Sequence, residues 1–296
     1  MIQHCSRQSN WFDPFLITFD QNHLTFDTKS YIRKELSNFF FGKGGVRFLK
    51  VFENYIYGKD DELQKIDIYL PDTSVYSLFV YFHGGGLENG DKRFAAEFAP
   101  YLTDYGIAVA SANYRMFPNA KYPDFIFDAA KAVAWANTYM HDELNCNLLY
   151  VGGSSTGGYL SMMLCFDQRY LTEVGLDNSA ISGYFHDSGQ PTAHFNVLKY
   201  SGIDSRRIIV DESAPLFFVG LEKTYPPMRF IVSDNDMLNR YEQTMLMLAT
   251  LSEFGYKNFD HVVMHGTHCA YCGRMNEKGE SLFGKMIYDF IQTKYE

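Results

Sequence analysis

The stretch Leu148-Leu149-Tyr150-Val151-Gly152-Gly153-Ser154-Ser155-Thr156-Gly157-Gly158 decides how this chain is read. A short apolar run, the signature of a buried strand, leads straight into Gly153-Ser154-Ser155-Thr156-Gly157, a G-x-S-x-G sequence. Such a sequence after a strand makes a sharp strand-to-helix turn that exposes its central serine at the edge of a sheet. Upstream, the apolar run Ser77-Leu78-Phe79-Val80-Tyr81-Phe82 ends in His83-Gly84-Gly85-Gly86. Glycines there let bare backbone N–H groups approach a ligand closely, because no Cβ intervenes. A G-x-S-x-G sequence alone arises easily by accident. The rarer glycine run, in the expected order and also after an apolar strand, makes the pair specific. A nucleophile and a cradle of N–H donors are the parts that acyl transfer requires.

Around these two motifs strands and helices alternate. Strand-type runs cover Val46 to Tyr57, Leu63 to Leu70, Ser77 to Phe82, Ile107 to Ala112 and Leu148 to Val151. Later strand-type runs are Ala180 to Tyr184, Met228 to Ser233 and Phe259 to Met264. Helical spacing covers Asp91 to Tyr105, Pro123 to Met140, Gly157 to Cys165, Arg240 to Phe254 and Glu277 to Lys294. Shorter helices are expected near Phe195 to Lys199 and Pro215 to Leu221. The alternation predicts an α/β fold with a mostly parallel sheet covered by helices on both faces. The 296 residues read as one domain. Residues 1–45, irregular and aromatic, and about 167–226 are expected to contribute cap segments.

A serine hydroxyl needs a base, and the base an orienting acid, in the chain order Ser, Asp or Glu, His. Two strand-end loops supply them. After Arg229-Phe230-Ile231-Val232 come Asp234 and Asp236, of which Asp236, just past the strand, is the better placed. After Val262-Val263-Met264 come His265 and His268, of which His268 follows a glycine turn and is favoured as the base. Asp234 is then a turn or capping residue and His265 a structural one. Ser155 is the nucleophile, since it alone lies centrally between Gly153 and Gly157; Ser154 becomes a local hydrogen-bonding residue. His186 and His194 read as pocket or structural histidines.

The residues resemble the hormone-sensitive-lipase-like branch of the α/β-hydrolase esterases, from about Leu63 onward. Besides the glycine motifs, Ala112-Asn113-Tyr114-Arg115-Met116-Phe117-Pro118 with Tyr122-Pro123 looks like that family's Tyr-Arg-x-x-Pro segment. Asp236-Met237-Leu238 resembles its Asp-Pro-Leu acid loop. The resemblance implies an eight-stranded sheet, a mobile cap from the amino terminus and a mid-chain insertion, and no metal or other cofactor. It further implies an oxyanion hole built from the N–H groups of Gly85, Gly86 and Thr156, and a structural ion pair for Arg115. The chain departs from that branch at Ser154, where an acidic residue is usual, at Thr156, where alanine is common, and at Leu87, where an aromatic is frequent. His83-Gly84-Gly85-Gly86 with Gly90-Asp91-Lys92 also looks like esterases that deacylate plant polysaccharides.

The expected activity is therefore hydrolysis of short-chain carboxylic esters by Ser155, His268 and Asp236. A carbohydrate acetyl or feruloyl esterase, an arylformamidase-type amidase and a non-catalytic ligand-binding relative are the alternatives. The net charge of −9, with no basic run, argues against nucleic acid and anionic membranes as partners. No apolar stretch is long enough to span a bilayer, and the first residues lack a secretory pattern, so a cytoplasmic location is expected. A homodimer through an edge strand or the cap is compatible with the resemblance. The cysteines, Cys5, Cys146, Cys165, Cys269 and Cys272, are odd in number and scattered, as for reduced thiols. Cys269-Ala270-Tyr271-Cys272 is a C-x-x-C with no second pair to complete a four-thiolate site. It reads as structural or incidental thiols, with a redox pair or half a zinc site as the alternative.

Overall fold

The computed structural model describes residues 35–42, 45–60 and 62–295. Nine strands form one sheet: β1 (Glu35–Gly42), β2 (Gly45–Ile56), β3 (Lys65–Leu70), β4 (Ser77–Phe82), β5 (Ile107–Ala112), β6 (Leu149–Ser154), β7 (Gly183–Asp187), β8 (Met228–Asn235) and β9 (Phe259–Thr267). The helices are α1 (Ala99–Thr103), α2 (Asp124–Tyr139), α3 (Thr156–Phe166), α4 (Arg169–Glu173), α5 (Phe195–Tyr200), α6 (Arg240–Glu253) and α7 (Leu282–Gln292). The strand order is β1-β2-β3-β5-β4-β6-β7-β8-β9. From β5 to β9 every neighbouring pair is parallel, while β1 to β3 and the β3–β5 pair are antiparallel. β2 to β9 make the eight-stranded, mostly parallel sheet. β1 adds a ninth strand at the edge, paired residue for residue with β2 from Glu35↔Phe52 to Gly42↔Gly45.

The period of two along each strand sorts the core onto two faces. From β4, Leu78, Val80 and Phe82 join β5 residues Ala108, Ala110 and Ala112 on the face covered by α2 and α3. Phe79 and Tyr81 point the other way, into a layer with Phe98 and with Phe283, Ile287, Phe290 and Ile291 of α7. All six residues of β4 and all six of β5 are buried, as expected where helices cover both faces. The edge strand β9 alternates instead: His261, Val263, His265 and Thr267 are exposed.

Several elements differ from the sequence reading for local reasons. The helical spacing from Asp91 to Tyr105 breaks into a 3₁₀ segment, Lys92–Glu97, and the short α1, because Pro100 at the start of α1 offers no N–H. Glu35–Gly42, expected to be irregular, is sheet, and Asn178–Ala180 is a turn capped by Asp177, which moves the next strand on to Gly183–Asp187. That strand lies inside the sheet, so the segment 167–226 is not all cap, and residues 188–226 run between β7 and β8. The closing helix starts only at Leu282, where the Ser281 hydroxyl accepts from Gly284 N–H at 3.1 Å. Residues 1–34 of the expected cap lie outside the described residues. Among the described residues no helix is long and apolar enough to cross a membrane.

One buried carboxylate ties the loop after β5 to α2. Asp128, with a fully buried side chain, accepts two bonds from the Arg115 guanidinium (2.8 and 2.7 Å), one from Arg115 N–H (3.1 Å) and one from Gln64 Nε2 (2.6 Å). Asp128→Ala strands these donors at once and should lower unfolding stability by about 3 kcal/mol, read by urea denaturation.

Candidate active site

Parallel register brings five strand ends to one edge of the sheet. Phe82 at the end of β4 pairs with Gly153 of β6, Ser154 with Asp187 of β7, and Asn235 of β8 with Thr267 of β9. The residues that follow, His83, Ser155, Ser188, Asp236 and His268, therefore emerge together. The helix after β4 packs on one face and the helix after β6 on the other, which opens a crevice between these two strand ends.

The turn at Ser155 has no slack. β6 runs to Ser154 and α3 begins at Thr156, so Ser155 alone makes the reversal, in a left-handed conformation (φ 55, ψ −112). That is a strained position for a residue with a side chain. Its N–H donates to the Asp187 carbonyl (2.7 Å), and its own carbonyl accepts from Tyr159 N–H (3.0 Å). The flanking glycines are required by contact. A Cβ on Gly157 would lie 1.8 Å from the Phe82 carbonyl oxygen, and one on Gly153 2.5 Å from the same atom. At Gly85 (φ +122) a Cβ would lie 1.9 Å from the Asn89 carbonyl oxygen.

From Ser155 a chain of hydrogen bonds runs into the fold. Ser155 Oγ is 2.8 Å from His268 Nε2, and His268 Nδ1 is 2.5 Å from Asp236 Oδ1. With Nδ1–H donating to the carboxylate, Nε2 is left to accept from the serine hydroxyl. Asp236 also accepts from Ser188 Oγ (3.0 Å) and Ser233 N–H (3.2 Å) on Oδ2, and from Met237 N–H (2.7 Å) on Oδ1. Burial alone would raise this carboxyl, but His268 and the two N–H groups outweigh it and hold it below the usual carboxylate range. For His268, burial disfavours the imidazolium, yet hydrogen bonds to Asp236 and Cys269 lift it to about 9.

The alternatives weighed from the sequence go elsewhere. Asp234 and His265 pair with each other at 2.6 Å, both exposed, on β8 and β9, rather than with Ser155. His186 is buried against Tyr184, bonded to Ser161 Oγ (2.9 Å), and burial lowers it to about 3. His194 caps α5 by accepting from Asn196 N–H, and burial with Arg240 nearby lowers it to about 3. Ser154 Oγ accepts from Tyr81 OH at 3.2 Å.

The glycine loop is held from both sides. Tyr114 OH donates to the His83 carbonyl (2.8 Å), and the Tyr114 ring stacks on the His83 ring. Asn196 Nδ2 donates to the Gly86 carbonyl (2.5 Å). The N–H of Thr156, at the first position of α3, has no helical carbonyl within reach. Sequence reading missed Ser188, Asn196 and Tyr114 in these supporting roles; Asn196 is 110 positions from the glycine it holds. A cavity of about 590 Å³ opens over Ser155, its largely apolar walls including Phe94, Phe195 and Met237.

A family model described as BD-FAE matches residues 66–203. Among curated proteins, the chain is 28% identical over 147 residues to a probable isoprenylcysteine alpha-carbonyl methylesterase of Arabidopsis thaliana, covering 47% of this chain and 35% of that one. It is 36% identical over 91 residues to the carboxylic ester hydrolase LipN of Mycobacterium tuberculosis, covering 30% and 24%. The chain thus matches about a third or less of the length of these relatives. Among solved structures, esterase B from Lactobacillus rhamnosis superposes with a TM-score of 0.66 at 20% identity, over 82% of this chain and 86% of that one. A truncated carbohydrate esterase from gut microbiota superposes with a TM-score of 0.66 at 19% identity, over 82% and 95%.

The contact at Gly157 can be checked directly. Gly157→Ala pushes a methyl into rigid backbone and should cost about 3 kcal/mol of unfolding stability. Gly175→Ala, at φ +76 with nothing within 4 Å, should cost only about 1 kcal/mol in the same thermal melts.

Proposed function

We propose that this chain, whose fold is that of the α/β-hydrolases, hydrolyses short-chain carboxylic esters through Ser155, His268 and Asp236. The observation that carries the reading is the unbroken hydrogen-bond chain from Ser155 Oγ through both nitrogens of His268 to a buried Asp236. The named activities of the curated relatives, methyl ester and carboxylic ester hydrolysis, point the same way.

In this mechanism Ser155 Oγ attacks the ester carbonyl as His268 Nε2 takes its proton. Asp236 keeps the imidazole in the required tautomer and stabilises the imidazolium. The N–H groups of Gly85, Gly86 and Thr156 stabilise the developing oxyanion, each worth about 3 kcal/mol of barrier. His268 then protonates the departing alcohol, and water, activated by the same histidine, releases the acid from the acyl-enzyme.

The cavity volume falls within the range of small-ligand pockets, which supports a compact acyl group. A second reading, esters carried on a carbohydrate, is supported by the fold shared with the gut carbohydrate esterase.

A p-nitrophenyl ester series checks the first reading. Turnover should peak at acyl chains of about two to four carbons and fall about 10,000-fold or more in Ser155→Ala. Higher kcat/KM on acetylated or feruloylated oligosaccharides than on these esters would select the second. Because the base works only when neutral, kcat/KM should rise with pH through an inflection near 9. An inflection at the ordinary histidine value of about 6.5 would contradict the hydrogen-bonded environment of His268.

A further inference from the structure

The C-x-x-C segment is not used by the proposed mechanism, yet it adjoins the site. Cys269 follows His268 directly and takes a left-handed conformation (φ 52). The chain then turns, with Cys272 N–H donating to the Cys269 carbonyl at 3.0 Å. A turn of this kind brings its end Cα atoms within about 7 Å, near the span a disulfide bridges. The two sulfurs lie within 4.8 Å of each other. Both thiols line the cavity over Ser155, Cys269 half-buried and Cys272 buried.

A third acidic group stands behind them. Asp187 is fully buried, with Oδ2 at 3.5 Å from Cys272 Sγ and 3.8 Å from Cys269 Sγ, while Oδ1 accepts from Tyr271 OH. The two thiols are unequal. A hydrogen bond from Cys272, with the neighbouring His268, lowers Cys269 to about 5. The same contact with Cys269, together with burial, raises Cys272. An accessible thiolate, a buried thiol and a buried carboxyl within reach of both are the parts of a dithiol that oxidises in two steps.

We propose that Cys269 and Cys272 are an oxidation site: a peroxide entering the cavity oxidises Cys269, and Cys272 closes on it as a disulfide. In the first step the Cys269 thiolate attacks a peroxide oxygen. The S–O bond forms, the O–O bond breaks, and the departing alkoxide or hydroxide takes a proton from water, leaving a sulfenic acid. Burial raises the Asp187 carboxyl and favours its protonated form, a poor proton acceptor, so the Cys272 proton passes to the departing oxygen. Cys272 sulfur attacks Cys269 sulfur, the S–S bond forms, the S–O bond breaks, and hydroxide leaves to become water. Two electrons pass from the dithiol to the peroxide. Drawing Cys269 toward Cys272 pulls the peptide that carries His268, so the bridge disturbs the contact between His268 and Ser155.

The test is mass spectrometry of the intact chain after hydrogen peroxide. Expected is the loss of two hydrogens, mapped to the peptide containing Cys269 and Cys272 and reversed by dithiothreitol, while buried Cys146 and Cys165 stay reduced. Cys272→Ser should stop at a sulfenic acid on Cys269, captured by dimedone. Ester turnover should drop about tenfold or more on oxidation, as displacement of a catalytic group by about an ångström does, and return on reduction. The proposal is overturned if both thiols remain open to alkylation after peroxide. It is equally overturned if one equivalent of zinc is retained through gel filtration and shields them, which would make the three donors a cation site. The mass readout does not depend on ester turnover, so failure of the esterase reading leaves it intact.

Discussion

At Gly157 the chain passes so near the end of β4 that a Cβ would lie 1.8 Å from the Phe82 carbonyl oxygen. This contact joins the two glycine motifs into one object. It fixes how far the Ser155 turn stands from His83-Gly84-Gly85-Gly86, and no side-chain adjustment could restore that distance if it changed. Preorganised N–H donors act on a reacting carbonyl only when held in place before reaction. For the proposed oxyanion hole the holding is done by backbone against backbone, with Tyr114 and Asn196 bracing the outer loop. The remaining groups reach the same edge through parallel register.

Behind the serine the polar groups form a graded sequence from cavity to interior. Ser155 and half-buried His268 meet the cavity; Asp236, Ser188 and Asp187 lie deeper. Ser188 Oγ, which donates to Asp236, also contacts Tyr271 OH at 3.2 Å, and Tyr271 donates to Asp187. The carboxylate that orients the histidine and the carboxyl beside the thiols are therefore two ends of one buried network. Arg240, also buried, donates to the Ser188 carbonyl and lies within electrostatic reach of Asp236.

Much of this was legible in sequence where local pattern and global position agree. β4 and β5 carry uninterrupted apolar runs, and their bounds coincide with the expected ones. That Ser155, Asp236 and His268 would meet at one edge could be read because each sits just past a strand, in a known order. β7 was blurred because His186 and Asp187 put polar residues inside a buried strand. The helix after Asp91 was overextended because helical spacing says nothing of Pro100. Ser188, Asn196 and Asp187 lay beyond reach, since what makes them matter is proximity across 48 to 110 positions of chain, which leaves no periodic trace.

The unequal rigidity of the edge sets what can vary. One residue separates β6 from α3, so an insertion there would break the turn itself. By contrast, residues 188–226 leave the sheet at Asp187 and rejoin it at Met228. Within them the chain is clasped by bonds such as Ala193 N–H to the Ile209 carbonyl and Leu216 N–H to the Pro191 carbonyl. Lengthening the excursion between Phe195 and Ile209 would cost little closure entropy and leave the sheet register untouched, while reshaping the wall to which Phe195 belongs. In lineages sharing this architecture, the proposed chemistry and its selectivity can therefore drift at separate rates, because the first would rest on a turn with no spare residue and the second on a loop free to grow.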